Sequence, residues 1–89
     1  MSLAIEDFSK ALEINNTDPY LYDALGRAQL LDKQPEEALR TYQKAIAAAD
    51  WQPGDKDSLI DSLRAMGKDP TPNQVVTLII NELESAKLP

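Results

Sequence analysis

Apolar residues recur along this chain at spacings of three and four, which places them on one face of an α-helix. In the first segment they are Ala4, Ile5, Phe8, Ala11 and Leu12. The pattern predicts helices over about residues 3–14, 19–31, 35–49, 55–66 and 71–87. An alternative stays open in the last segment, because the apolar run at residues 75–80 alone could form a strand.

Local signals mark where three of these helices begin. Asp18 precedes Pro19, and an Asp side chain accepts hydrogen bonds from the free amides of the first turn, where Pro also fits. Pro35 gives the third helix the same start. Thr71 and Gln74 have the spacing of a capping box at the start of the fifth helix.

The second helix has a glycine at its centre. Its inward positions are predicted to be Tyr22, Leu25, Gly26 and Gln29. Glycine in a helix interior costs up to roughly 1 kcal/mol relative to alanine. Gly26 therefore predicts that another helix packs closely at this point.

The chain repeats with a period of 34 residues. The repeated pairs are Ala4 and Ala38, Phe8 and Tyr42, Ala11 and Ala45, Pro19 and Pro53, and Leu25 and Leu59. A second pattern is an aromatic residue, Leu-Gly three residues on, and later a small, an aromatic and a small residue: Tyr22, Leu25-Gly26, Ala38, Tyr42 and Ala45. In these residues the sequence resembles the tetratricopeptide repeat (TPR) family.

The resemblance implies an all-α fold of antiparallel helical hairpins stacked as a short right-handed solenoid. Residues 1–89 would form a single domain. Residues 1–18 would be the second half of a repeat, 19–52 a full repeat and 53–89 a divergent terminal hairpin. The pattern begins in mid-repeat, so the first helix lacks its partner helix. We expect either that the chain is a piece of a longer array or that another chain supplies the missing partner helix.

Composition narrows the possible functions. The 89 residues include no Cys and no His, so a cysteine nucleophile, the commonest general base and the commonest transition-metal ligand are missing. Asp55, Asp57 and Asp61 lack the spacing of a calcium loop. The net charge of −6 disfavours nucleic acid and anionic membrane surfaces. We expect no enzyme activity, no cofactor and no metal.

The resemblance implies protein–protein interaction, with a peptide or a helix bound in a concave groove formed by the first helices of successive repeats. The matching positions are Tyr20, Asp23, Arg27, Leu30, Trp51, Asp57, Asp61 and Arg64. Two alternatives stay open: Leu30 could lie in the core, and Trp51 could fold onto the turn. With three acids lining it, the groove would favour a ligand with basic character.

Two other functions remain open at this point. The stripe of Ile5, Phe8 and Leu12 could dock onto a second copy and make a homodimer. The chain could also be a regulatory module of a larger enzyme. No basic and apolar leader opens the chain and no apolar run could span a bilayer, so a cytoplasmic location is the default expectation.

Overall fold

Five helices make up the protein in a computed structural model, which describes residues 3–66 and 73–88. They are α1 (Leu3–Ile14), α2 (Pro19–Leu31), α3 (Pro35–Ala48), α4 (Asp55–Met66) and α5 (Asn73–Ser85). The all-α prediction is confirmed, and no strand occurs within these two ranges. The strand alternative for residues 75–80 is wrong, because the whole run lies inside α5. Thr71, the predicted cap of α5, lies outside the described residues.

The ends of α2 show how sequence sets the length of a helix. Asp18 caps its start, where the carboxylate oxygen accepts a hydrogen bond from the Tyr20 amide at 2.9 Å. At the other end, the Gln34 amide donates to the backbone carbonyl of Gln29 at 2.8 Å, and the Lys33 amide donates to the backbone carbonyl of Leu30 at 3.2 Å. These two bonds form a Schellman motif, which requires Lys33 to adopt a left-handed conformation (φ 60°).

The helices pack in a fixed order. α1 lies against α2, and α2 lies against α3 and α4. α5 packs on both α3 and α4, so each helix of the last hairpin contacts one helix of the preceding hairpin. The backbones of α1 and α3 do not come within packing distance of each other, although both flank α2.

The core lies between these helices and uses the predicted apolar faces. Its largest fully buried side chains are Tyr42, Leu30, Leu59, Leu63, Ile79 and Leu83. The close approach predicted at Gly26 is confirmed, because the ring of Tyr42 lies directly over it. A methyl group added at Gly26 would be only 2.8 Å from Cζ of that ring.

Trp51 fills the junction between α3 and α4. It is only 6% exposed, and its indole N–H donates to the Ala45 carbonyl at 2.9 Å. In the same region the Asp50 amide donates to the Thr17 carbonyl at 2.7 Å, which joins the α1–α2 and α3–α4 connections. None of the described helices combines the length and hydropathy needed to cross a bilayer.

Candidate functional site

Only some residues of the groove expected on α2 and α4 are exposed to solvent. Asp23 is buried, so its predicted exposure is wrong, and Leu30 is buried as well. Both lie on the side of α2 that faces the core, and Leu30 takes the core position left open as an alternative. Trp51 is folded into the α3–α4 junction and is also unable to contact a partner there.

Asp23 is held by two residues inside the protein. The Tyr42 hydroxyl donates to its carboxylate at 2.5 Å, and Arg27 Nε lies 3.2 Å from the other carboxylate oxygen. The buried Arg27 Nε has no hydrogen-bond partner among the described residues, so its contact with Asp23 is one of charge only. Burial raises the pKa of Asp23 above its usual value, although the Tyr42 hydrogen bond and the Arg27 charge oppose this. Burial, followed by the nearby Asp23 carboxylate, likewise raises the pKa of Tyr42.

Three residues of the expected groove are exposed on α4, where spacings of four and three residues place them on one face of the helix. Asp57 and Asp61 are exposed to solvent, and Arg64 lies 3.9 Å from Glu84 in a loose ion pair on the surface. Exposed pairs of this kind contribute little to stability or recognition.

On α2, Tyr20 is 47% exposed, and its hydroxyl donates to the Asp55 carboxylate at 3.0 Å. The Arg27 side chain is partly exposed, and Leu31 beside the end of the helix is 67% exposed. This face therefore offers isolated aromatic, basic and aliphatic groups, and the acid expected between them, Asp23, is sequestered in the core.

A groove of about 380 Å³ lies elsewhere, between α1 and α3. Its floor is α2, and its walls are the two helices that flank α2 and whose backbones stand apart from each other. The lining residues are Ser9, Leu12, Glu13, Tyr22, Leu25, Gln29, Glu37, Arg40, Thr41 and Lys44. None of the expected groove positions on α2 and α4 is among them.

The floor of this groove is formed by buried side chains of α2. Tyr22 and Leu25 are buried members of α2, and the Tyr22 hydroxyl is anchored to the Asn16 carbonyl at 2.9 Å. Toward the other end, the Thr41 hydroxyl lies 2.6 Å from the Gln29 side-chain carbonyl and donates to it. The floor thus combines two buried apolar side chains with one polar pair, and polar or charged side chains make up most of the rest of the lining.

The walls of the groove carry opposite charges. Glu13 lies on the α1 wall, whereas Arg40 and Lys44 lie one turn apart on the α3 wall. Arg40 pairs with Glu37 on its own helix at 2.9 Å, and both of these side chains are well exposed. Lys44 and Glu13 have no ion-pair partner within the part of the chain that the structure describes.

The stripe expected to mediate self-association is half covered. Ile5, Phe8 and Leu12 are all of intermediate exposure, since α1 lies against α2. Leu12 packs on the core cluster and also lines the groove. Among the side chains of residues 5–14 in α1, the most exposed apolar one is Ile14, at 90%.

The described residues hold no group of three or more acidic, Cys or His side chains that could bind a metal ion. No protein-family model, curated protein or solved structure matches the chain. Within the part of the chain that the structure describes, the α1–α3 groove is a concave part of the surface with Tyr22 and Leu25 in its floor.

Proposed function

We propose that this chain is a non-enzymatic protein-interaction module that binds a peptide or a helix of a partner protein in the α1–α3 groove. The observation that carries this proposal is the separation of α1 and α3, which leaves an open groove over Tyr22 and Leu25 of α2. Largely preformed concave surfaces with apolar floors and a few polar groups are typical of binding sites.

The arrangement of the helices supports a TPR-type scaffold as part of the same proposal. α4 packs on α2 and α5 packs on α3, as expected if two hairpins stack. In this proposal the full hairpin comprises residues 19–52, and the stack is a short right-handed solenoid. The groove then lies between the second helices of two successive units, on the opposite side from the surface expected on α2 and α4.

The chemistry of the groove favours binding over catalysis. Its two aliphatic hydroxyl groups belong to Ser9 and Thr41, and the chain contains no histidine that could activate either of them. The Thr41 hydroxyl is already engaged by Gln29 and by the backbone carbonyl of Glu37, at 2.6 and 3.0 Å.

A substitution that fills the groove tests the proposal. Ser9 is exposed on the α1 wall, so Ser9→Trp should occupy the groove while leaving the core intact. Gln43, which is 34 residues further along the chain and exposed on α3, does not line the groove. Gln43→Trp is therefore the matched control.

The experiment captures partner proteins from an extract of the source cells and then measures binding to each purified partner by calorimetry. We expect Ser9→Trp to weaken binding by roughly tenfold or more, since it removes access to the groove floor. Gln43→Trp should bind as the wild type does. Equal binding by all three proteins would refute the groove as the site.

A further inference from the structure

The walls of the α1–α3 groove indicate which backbone conformation a bound peptide would adopt. Every lining residue lies in a helix, where backbone N–H and C=O groups are mostly bonded within the helix itself. An extended peptide would find no strand edge to pair with and would leave much of its own backbone unpaired. A helix satisfies its own backbone and needs only side-chain contacts from the groove.

The chain itself contains an example of a helix that packs against two others. α5 lies on α3 and α4 through Val76, Ile79 and Leu83, which are spaced by three and four residues and are almost fully buried. An apolar stripe of the same spacing would cover Leu12 and Leu25 in the groove.

The charged residues of the groove determine which side chains of a bound helix should border its apolar stripe. Short connections make α1 and α3 both antiparallel to α2, so the later parts of α1 and α3 lie near the beginning of α2. Glu13 and Lys44 therefore occupy opposite walls at the same end of the groove, where Tyr22 forms the floor. A bound helix would meet a negative charge on one side and a positive charge on the other.

We propose that the occupant is an amphipathic helix of a partner protein, with its apolar stripe bordered by basic residues along one side and acidic residues along the other. The bases would contact Glu13 on α1, and the acids would contact Lys44 on α3. This inference rests on the proposed binding function of the groove and specifies the chemistry of its ligand.

Three synthetic helical peptides of roughly four turns, about 14 residues, provide the test. They share one apolar stripe and differ only in its borders, which are acidic on both sides, basic on both sides, or one of each. Binding of each peptide is measured by fluorescence anisotropy to the wild type, to Lys44→Glu and to Glu13→Lys. Both substituted residues are exposed, so the fold should be retained and can be checked by circular dichroism.

We expect the wild type to prefer the mixed peptide by roughly three- to tenfold, the range given by one or two exposed charge contacts. Lys44→Glu makes both walls acidic and should shift the preference to the basic peptide. Glu13→Lys makes both walls basic and should shift it to the acidic peptide. Lys87→Glu, the same charge change at an exposed site beyond α5, should keep the wild-type order.

An unchanged order of preference in the two groove variants would overturn the inference, and so would the absence of binding by all three peptides. Neither result would contradict the proposed function if Ser9→Trp still weakened binding to a captured partner protein. Sedimentation of the wild type and Ser9→Trp covers a further case: self-association that Ser9→Trp removes would make a second copy the occupant and contradict the inference.

Discussion

Gly26 and Tyr42 determine how closely α2 and α3 approach each other. Tyr42 is fully buried, and its ring lies against the bare backbone of Gly26 while its hydroxyl reaches Asp23. The ring cannot withdraw without breaking that hydrogen bond. The sequence indicated the close approach, since glycine in a helix interior needs such a reason, but it did not show that Asp23 would be the partner of the hydroxyl.

Overpacking a core usually costs about 1–3 kcal/mol, so Gly26→Ala should lower the free energy of unfolding by up to about 2 kcal/mol after the gain in helix propensity. A new Cβ would lie 2.8 and 2.9 Å from Cζ and Cδ2 of Tyr42. This outweighs the gain of roughly 1 kcal/mol in helix propensity. Urea denaturation measures the change, and a variant more stable than the wild type would show that the ring is free to move.

Asp23 should make stability depend on pH in a particular direction. Its pKa in the folded protein is raised above the usual 3.8, mainly by burial, so folding favours its protonated form. Its contribution to stability is therefore complete below pH 3.8 and is lost as the pH rises through the folded pKa.

Asp23→Asn removes this titration and leaves the exposed acids unchanged. We expect the stability of the wild type relative to Asp23→Asn to fall between about pH 3 and pH 7. The two free energies of unfolding, measured over that range, give the difference directly. A difference that grows with pH would mean that Arg27 and Tyr42 stabilise the ionised carboxylate more than burial destabilises it.

At the scale of the helices, the local sequence was a good guide because caps and apolar spacing act over only a few residues. The observed bounds of α1, α2 and α4 match the predicted ones, and α5 ends at Ser85, before the predicted Lys87. The end of α2 carried no glycine signal, because Lys33 occupies the left-handed position that glycine usually takes.

Lys33→Gly should stabilise the protein by about 0.5–1 kcal/mol. Glycine relieves the strain of the left-handed conformation, and this gain exceeds its larger loss of backbone entropy on folding. Lys10→Gly is the opposite control, since the residue lies inside α1 and glycine there should cost about 1 kcal/mol. Thermal denaturation measures the change in stability of both variants. Destabilisation by Lys33→Gly would contradict the Schellman motif assigned to the end of α2.

For the molecule as a whole, sequence periodicity predicted which faces are apolar but not how far apart the helices stand. Leu12 and Leu25 were correctly placed on apolar faces, yet the groove that they line depends on the separation of α1 from α3. No local spacing encodes that distance. Asp23 was misplaced for a related reason, because the orientation of α2 follows from its contacts with α3 and α4 together.

The central claim is that the α1–α3 groove is the binding surface, and nuclear magnetic resonance tests it most directly. Backbone amide signals of the wild-type chain are followed while the peptide with mixed borders is added. We predict that the largest shifts occur at Ser9, Leu25 and Thr41, which line the groove. Shifts concentrated at Asp61 and Arg64 on the exposed face of α4, or no shifts at all, would contradict the account.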